Sequence, residues 1–395
     1  MILIAILFLY IILLSLISYK QIYFLKQERC KKAQILSENE YITAANIAIE
    51  NEKFKLFSNL YTFIVNVCWI WFGFYYLKEF FIETNSRFEN TLFLLAFLLI
   101  TGLVNLPINL YENFIKDKAH GFSNMTLKIF IQDFFKTILL TLIFGFLIIY
   151  ALLFCYDFFN SIWWIAAFIF SFLVILIINL IYPTLIAPIF NKVQKLEDEN
   201  LQNKISSLMT KCGFQANGIY VIDASKRDKR LNAYFGGLFK SKRVVLFDTL
   251  IKALNERELL AVLGHELGHF VHKDILKNLF NSAFMVFLLF FVFAHLPQNL
   301  YIEAHLENVN ARVFALLLIF GNIFTFLISP LLNFMSRKNE FAADLHGAKV
   351  TNKEDMKNAL LALAKENKAF VKMSKIYTFF YLSHPSIYDR IKALS

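Results

Sequence analysis

His265 and His269 stand four residues apart in His265-Glu266-Leu267-Gly268-His269. On a helix, residues at that spacing share one face, one turn above the other. Two imidazoles so placed can reach one Zn²⁺ at about 2.0–2.1 Å. Glu266, between them, can hold and deprotonate an attacking water. The flanking residues favour a helix: Asn255 can cap its start, with Glu258 completing a capping box. Leu259, Leu260, Leu263, Leu267, Phe270 and Val271 give it apolar faces. Gly264 and Gly268 are poor helix formers, and they leave room for another backbone or a substrate. The same five letters would also suit a helix with two surface or core histidines, so the rest of the chain must decide. A catalytic zinc needs a third protein ligand. His272 lies three residues after His269 but seven after His265, and a helix does not turn all three onto one ion. Ten residues after His265, where an extended zinc motif would carry its third His, stands Ile275.

The elements that must position these groups are mostly membrane helices. The chain has 395 residues, 58% of them hydrophobic, with a mean hydropathy of +0.53. Several apolar runs are long enough to cross a bilayer. We expect seven spans, at 2–19, 58–79, 91–111, 137–157, 161–186, 276–296 and 312–333. The positive residues follow the first run, which suits a retained span or signal anchor better than a cleaved signal peptide. The 20–56 loop carries seven Lys/Arg, and the 112–136 loop, the 191–275 segment and the tail are also basic. The 158–160 and 297–311 loops contain no Lys or Arg. With seven spans the basic segments fall on one side, the cytoplasmic side by the positive-inside rule. The net charge of +10 therefore fits membrane topology, and no aromatic-basic motif points to nucleic acid. Cys30, Cys68, Cys155 and Cys212 lack metal-ligand or disulfide-framework spacing. The division expected is an N-terminal membrane domain, 1–190, with five spans, and a zinc peptidase domain, 191–395, with the last two. The polar segment 191–275 reads as a small α+β unit. It has a helix at 197–211, a strand at 218–224, and a strand pair, 232–235 and 243–247, joined across Gly236-Gly237.

This topology brings a distant carboxylate to the histidines. His269 stands about seven residues before the sixth span and Glu340 about seven after the seventh, so both rise about 10 Å above the same membrane face. Glu340 is the expected third ligand, and Asp344, one turn on, can accept the outer N–H of a ligand histidine. An ordinary charged helix following a span would read the same way locally. His384 precedes Pro385 and a short helix carrying Tyr388 and Arg390. Beside a metal it could stabilise an oxyanion; a plain turn histidine is the competing reading. His346 reads as a surface residue or a support to the ligands. His295 and His305 fall on the far side.

Together these residues resemble the type I CAAX prenyl endopeptidases, integral-membrane gluzincins. The likeness rests on HELGH, on Asn232-Ala233-Tyr234-Phe235 followed by Lys242 to Leu250, and on Ser336-Arg337 with Glu340 and Ala343-Asp344. It also rests on His384-Pro385 with Arg390, and in the first half on Leu106-Pro107, Tyr111, Gly121-Phe122-Ser123, Thr126, Pro183, Pro188 and Asn191. Ser386 stands where the family often has a second Pro. The resemblance implies a mostly α polytopic protein, seven transmembrane helices around a chamber, with a small zinc-peptidase unit at its cytoplasmic end. It implies one Zn²⁺ per chain on His265, His269 and Glu340, with Glu266 as base. Substrate would lie beside the strand of Asn232, Ala233 and Tyr234, with Arg390 and His384 at the substrate's C-terminal end or oxyanion. The expected partners are the lipid bilayer and a prenylated or membrane-associated peptide or protein. The chain lacks the longer insertions of eukaryotic members, which points to a bacterial inner membrane. Three other functions share parts of this pattern: a heat-shock-type quality-control metalloprotease, a zinc-bearing membrane scaffold and a transporter. The first usually has fewer spans, the second has no need of Glu266, and the third would want intramembrane charges.

Overall fold

The structure is a computed structural model that describes residues 1–236 and 242–395. Seven helices are long and apolar enough to cross a membrane: Ile2–Arg29, Glu38–Phe81, Arg87–Ala119, Leu127–Phe158, Asn160–Phe190, Asp274–Ala294 and Arg312–Val350. The number matches the sequence reading, but the helices run well past the apolar runs. The polar loop expected over 20–56 shrinks to a short connection. A capping box of Ser37 and Glu40 starts the second helix inside the polar stretch. Tyr41, Ala44 and Ala45 then bury against Leu25, Phe370 and Val371. Ser86 and Glu89 start the third span in the same way.

Each of the second to fifth spans contains one five-residue π-helical turn, at Trp69–Gly73, Glu112–Lys116, Thr141–Gly145 and Tyr182–Ile186. Such turns break the i→i−4 ladder and bend a helix. In the fifth and sixth spans only 6% of the apolar window is buried within the protein, so these helices present most of their surface to lipid or to the interior space. The first, second and seventh spans and the helix Lys375–Tyr381 wall a cavity of about 540 Å³. Its lining mixes Leu7 and Phe326 with the amides of Asn59, Asn66, Asn322 and Asn333. Side-chain amides at membrane depth are tolerated where they face such a space.

Four strands form one sheet: β1 (Val193–Lys195), β2 (Ile219–Ile222), β3 (Ala233–Gly236) and β4 (Arg243–Phe247). Their order is β1-β2-β4-β3, with β2 and β4 parallel and the two outer pairs antiparallel. β1 has only three residues and no alternating pattern, so the sequence does not announce it. The expected junction at Gly237 lies outside the described residues. Val244, Leu246 and Ile205 of the sheet and of the helix Glu199–Lys211 pack on Leu259, Leu263 and Leu267 of the HELGH helix, Glu256–Val271. That helix therefore has one face in the core of this α+β unit and the other free for the site.

Its capping box is present, with Asn255 and Glu258 exchanging bonds. It ends at His272, where Lys273 adopts φ +57° and turns the chain into the sixth span. The seventh span is one continuous helix of 39 residues with Pro330 inside it. Proline removes the N–H that would bond the carbonyl four residues earlier. The Ser329 hydroxyl donates to that carbonyl, Phe326 O, at 2.8 Å. The helix thus continues unbroken to Glu340 and beyond.

Candidate metal centre

The HELGH helix and the upper part of the seventh-span helix cross in close contact because glycines face the crossing. A Cβ added at Gly268 would lie 2.9 Å from Ala343 Cα, and one at Gly264 3.2 Å from Gly347 Cα. Gly347 reciprocates: its Cβ would meet His265 N at 2.9 Å. Backbones this near bring Glu340 onto the histidine face. His265 Nε2 is 3.2 Å from His269 Nε2 and 3.5 Å from Glu340 Oε2. His269 Nε2 is 3.3 Å from Glu340 Oε1. His265, Glu340 and Asp344 are buried, and His269 is partly open.

Each outer ring nitrogen meets a carboxylate. His265 Nδ1 is 2.8 Å from Asp344 Oδ1, and His269 Nδ1 is 2.9 Å from Asp274 Oδ2. A carboxylate accepts, so both Nδ1 atoms carry the hydrogen and the facing Nε2 atoms present lone pairs. With both imidazoles neutral, two lone pairs and a carboxylate converge, and Glu340 Oε2 is buried without a hydrogen-bond partner. Ligands at about 2.0–2.1 Å around a tetrahedral ion stand about 3.3 Å apart. The three observed separations bracket that value, so the residues present fit a metal ion. Within this group of His265, His269 and Glu340 the ligand atoms all lie within 4.8 Å of one another.

Asp274 is absent from the sequence reading. The signal available was an acidic residue five positions after His269, where a ligand helix turns into a span. Lys277 Nζ holds its other oxygen at 2.7 Å. Asp344 stands where the sequence placed it and has a further partner, Arg390, whose Nε and Nη2 reach its two oxygens at 2.8 and 2.6 Å. Arg390 was expected among the substrate contacts. It is instead buried at 8% exposure, its fork filled by Asp344, with Nη2 3.5 Å from Glu340 Oε2. A helix of seven residues, Ile387–Ala393, suffices to bring it there.

Glu266 is half-buried, and burial pushes its carboxyl above the usual range against the pull of His265 and His269. His384 Nε2 lies 3.2 Å from Glu340 Oε1, and its imidazole is 62% exposed. Desolvation by the surrounding protein holds it below the usual imidazole range. His346 faces the helix crossing, its Nδ1 3.1 Å from Gly264 O.

β3 is an outer strand of the sheet, with β4 as its neighbour. Phe247 N–H donates to Asn232 O at 3.2 Å. By antiparallel alternation, Tyr234 exchanges bonds with Val245, while Ala233 and Phe235 turn their backbone groups to the outer edge. Asn232 is exposed, and its side-chain oxygen accepts from Ala233 N–H at 2.8 Å. Tyr234 lies on the face opposite Ala233 and Phe235, its ring 6.2 Å from that of Tyr182 in the fifth span.

The likenesses to known proteins agree with this geometry. The family model described as Peptidase family M48 matches residues 195–395. The model described as CAAX prenyl protease N-terminal, five membrane helices, matches residues 19–192. CAAX prenyl protease 1 of Saccharomyces cerevisiae is 33% identical over 317 residues, 75% of this chain and 69% of that protein. The CAAX prenyl protease 1 homolog of Homo sapiens is 31% identical over 348 residues, 78% of this chain and 73% of the relative. The crystal structure of S. mikatae Ste24p superposes with a TM-score of 0.92 at 27% identity, covering 99% of this chain and 98% of that one. The shared architecture is a membrane chamber of seven helices with a small sheet. Fold, likenesses and the convergent His-His-Glu group define an integral-membrane metallo-endopeptidase. The chain belongs to peptidase family M48 and is a homologue of the CAAX prenyl proteases.

Proposed function

We propose that the protein is a zinc endopeptidase that trims the C-terminal end of prenylated, membrane-held peptides, with its active site on the cytoplasmic side. The observation that carries this is the convergence of His265 Nε2, His269 Nε2 and a Glu340 oxygen at tetrahedral spacing, with Glu266 beside them. His265, His269 and Glu340 would hold one Zn²⁺, which supplies Lewis acidity and lowers the pKa of water when bound. Glu266 takes a proton from the attacking water and passes it to the leaving amine nitrogen. Its raised affinity for protons suits that exchange. Asp344 and Asp274 hold the two imidazoles in the tautomer that keeps Nε2 free. Arg390 acts on Asp344 and the Glu340 edge rather than on substrate. His384, with an open imidazole edge beside Glu340, is the donor that steadies the oxyanion.

The scissile segment adds to the outer edge of β3, using the outward backbone groups of Ala233 and Phe235. The Asn232 side chain, now on Ala233 N–H, turns to the incoming chain. Tyr234 supports the strand against Tyr182 of the fifth span. The prenyl group enters from the bilayer, between spans. The basic loops support a cytoplasmic site.

The test compares a farnesylated C-terminal peptide with its unprenylated copy, using wild type and Glu266→Gln loaded with zinc. We expect one zinc per chain in both proteins, cleavage of the farnesylated peptide by wild type, and loss of at least about 10³-fold in Glu266→Gln. Undiminished turnover in that variant would refute the assigned base. Equal cleavage of both peptides would refute the prenyl requirement.

A further inference from the structure

The lead-in to β3 is irregular chain. After β2 the backbone makes one 3-10 turn, Ala224–Lys226, and then runs from Arg227 to Asn232 without helix or strand. The β4 ladder and the Thr249 hydroxyl on Arg230 O hold its end. Most of its other ties come from the membrane half of the molecule, through the loop between the third and fourth spans.

The backbone contacts come first. Ser123 and Asp228 form an antiparallel bridge. Asn124 N–H donates to Arg227 O at 3.0 Å, and Lys229 N–H donates to Phe122 O at 2.9 Å. Asn124 Nδ2 donates to Ser225 O at 2.8 Å. Two arginines then close the segment from either side. Arg227 grips Asp133, on the fourth span, with Nε and Nη2 at 2.8 and 3.0 Å, and its Nη1 reaches Asn191 at 3.3 Å. Arg230 bonds Asp117, at the end of the third span, at 2.8 Å and Asp228 at 2.6 Å. Its guanidinium lies 4.3 Å over the Phe122 ring. One residue further on, Leu231 N–H is held by Asn367 Oδ1 at 2.8 Å. Asp117 is buried, and Asp133 and Arg227 are about one-fifth exposed.

Planar two-point Arg–carboxylate contacts fix orientation as well as distance. Arg227 makes such a contact with Asp133 six residues before β3, the strand whose outer edge would face substrate, and Arg230, three residues before it, gives one nitrogen to Asp117 and the other to Asp228. We propose that the Arg227–Asp133 and Arg230–Asp117 pairs are positioning devices for the reaction: they register β3 against the metal centre by tying its lead-in to the third and fourth spans. This rests on the reading that substrate adds to β3. The pairs touch neither metal ligands nor substrate. They act by setting where along β3 the added peptide lies relative to His265 and His269.

The experiment uses full-length protein in detergent or vesicles with the farnesylated peptide. The variants are Arg227→Lys, which keeps the charge and loses the fork, Asp133→Asn, and the exchange Arg227→Asp with Asp133→Arg. A second peptide carries N-methyl groups on alternate amides of the segment expected to pair with β3. We expect the first two variants to raise KM about five- to tenfold while kcat stays within about twofold and zinc stays at one per chain. The exchange should recover at least half of the lost kcat/KM. N-methylation should raise the wild-type KM. If wild type ignores the N-methyl groups, strand addition fails and the positioning role fails with it. If it responds while Arg227→Lys and Asp133→Asn keep wild-type KM, strand addition stands and the positioning role alone is overturned. Loss of zinc, or a fall in kcat matching the rise in KM, would show a merely structural tie and likewise overturn it.

Discussion

Replacing Gly268 by Ala tests whether close approach of two helices sets the metal site. The added Cβ would stand 2.9 Å from Ala343 Cα, 3.1 Å from His346 Cβ and 3.2 Å from Ala343 O. Two of these neighbours are backbone, so neither can swing aside. The helices must part by about 0.5 Å to restore ordinary contact. His269 is the next residue on one helix and Glu340 lies one turn before Ala343 on the other. Parting the helices therefore parts the ligands, by more than the roughly 0.2 Å that a metal site tolerates. Overpacking of this kind costs about 1–3 kcal/mol, and about 1 kcal/mol returns because Ala is a better helix former than Gly. The net loss of fold stability is thus small, about 0–2 kcal/mol. Zinc affinity should fall by about 10- to 100-fold, equivalent to about 1.4–2.8 kcal/mol. Competition against a chelator of known affinity measures the zinc affinity, and thermal unfolding in excess chelator measures the fold stability. Gly321→Ala is the control, because an added Cβ there meets nothing within 4 Å. Wild-type zinc affinity in Gly268→Ala, or equal weakening in Gly321→Ala, would refute the reasoning.

The remaining expectations concern the same centre. Asp274→Asn removes the charge on His269 Nδ1–H and leaves Lys277 without its partner; zinc affinity should drop about tenfold or more in chelator competition. In the metal-free protein burial lowers the His269 pKa, but Glu340 and Asp274 outweigh it and raise the value to about 9. Zinc needs the neutral imidazole. Apparent affinity should therefore be level above about pH 9 and fall about tenfold per unit as pH drops below it, which a pH series of competition titrations reads directly. Metal-free stability has the opposite sign: the pKa is raised on folding, so the contribution is full below about pH 6.5 and is lost as pH rises toward 9. Thermal unfolding of the metal-free protein at pH 6 and pH 9 checks it.

Much of the site was legible because its physics is local or topological. The spacing of His265 and His269 is a helical fact, and the height of Glu340 follows from counting residues out of two spans. The capping box at Asn255 is written in the residues that make it. Asp274 was harder to see, because its role depends on the left-handed turn at Lys273, a non-glycine residue with no prior for φ +57°. The pairing of Arg390 was hidden for the opposite reason. Its charge beside a conspicuous histidine suggests an open contact, and only packing reveals that Asp344 fills its fork. β1 gains its extended form from pairing Val193 with Ile222, which three residues cannot advertise. The polar stretch before the second span looked like a loop because polarity was read as exposure, whereas small residues such as Ala44 and Ala45 let a helix pack there.

The proline in the seventh-span helix bears on how the enzyme meets membranes of different thickness. A continuous helix that crosses the bilayer and then carries Glu340 would ordinarily transmit every change of tilt to the metal, since mismatch is commonly relieved by tilting. Pro330 lies ten residues before Glu340, at the metal-site end of the apolar run, where one backbone bond is already replaced by the Ser329 hydroxyl. Bending there is cheaper than elsewhere in the rod. Beyond that joint the helix is clasped to the HELGH helix through Gly347, Ala343 and Gly268, and below it Val313, Phe314, Leu316 and Phe320 are seated in the membrane core. Pro330 thus divides the rod into one half seated among the membrane helices and one half seated on the metal-binding helix, with the cheapest place to bend between them.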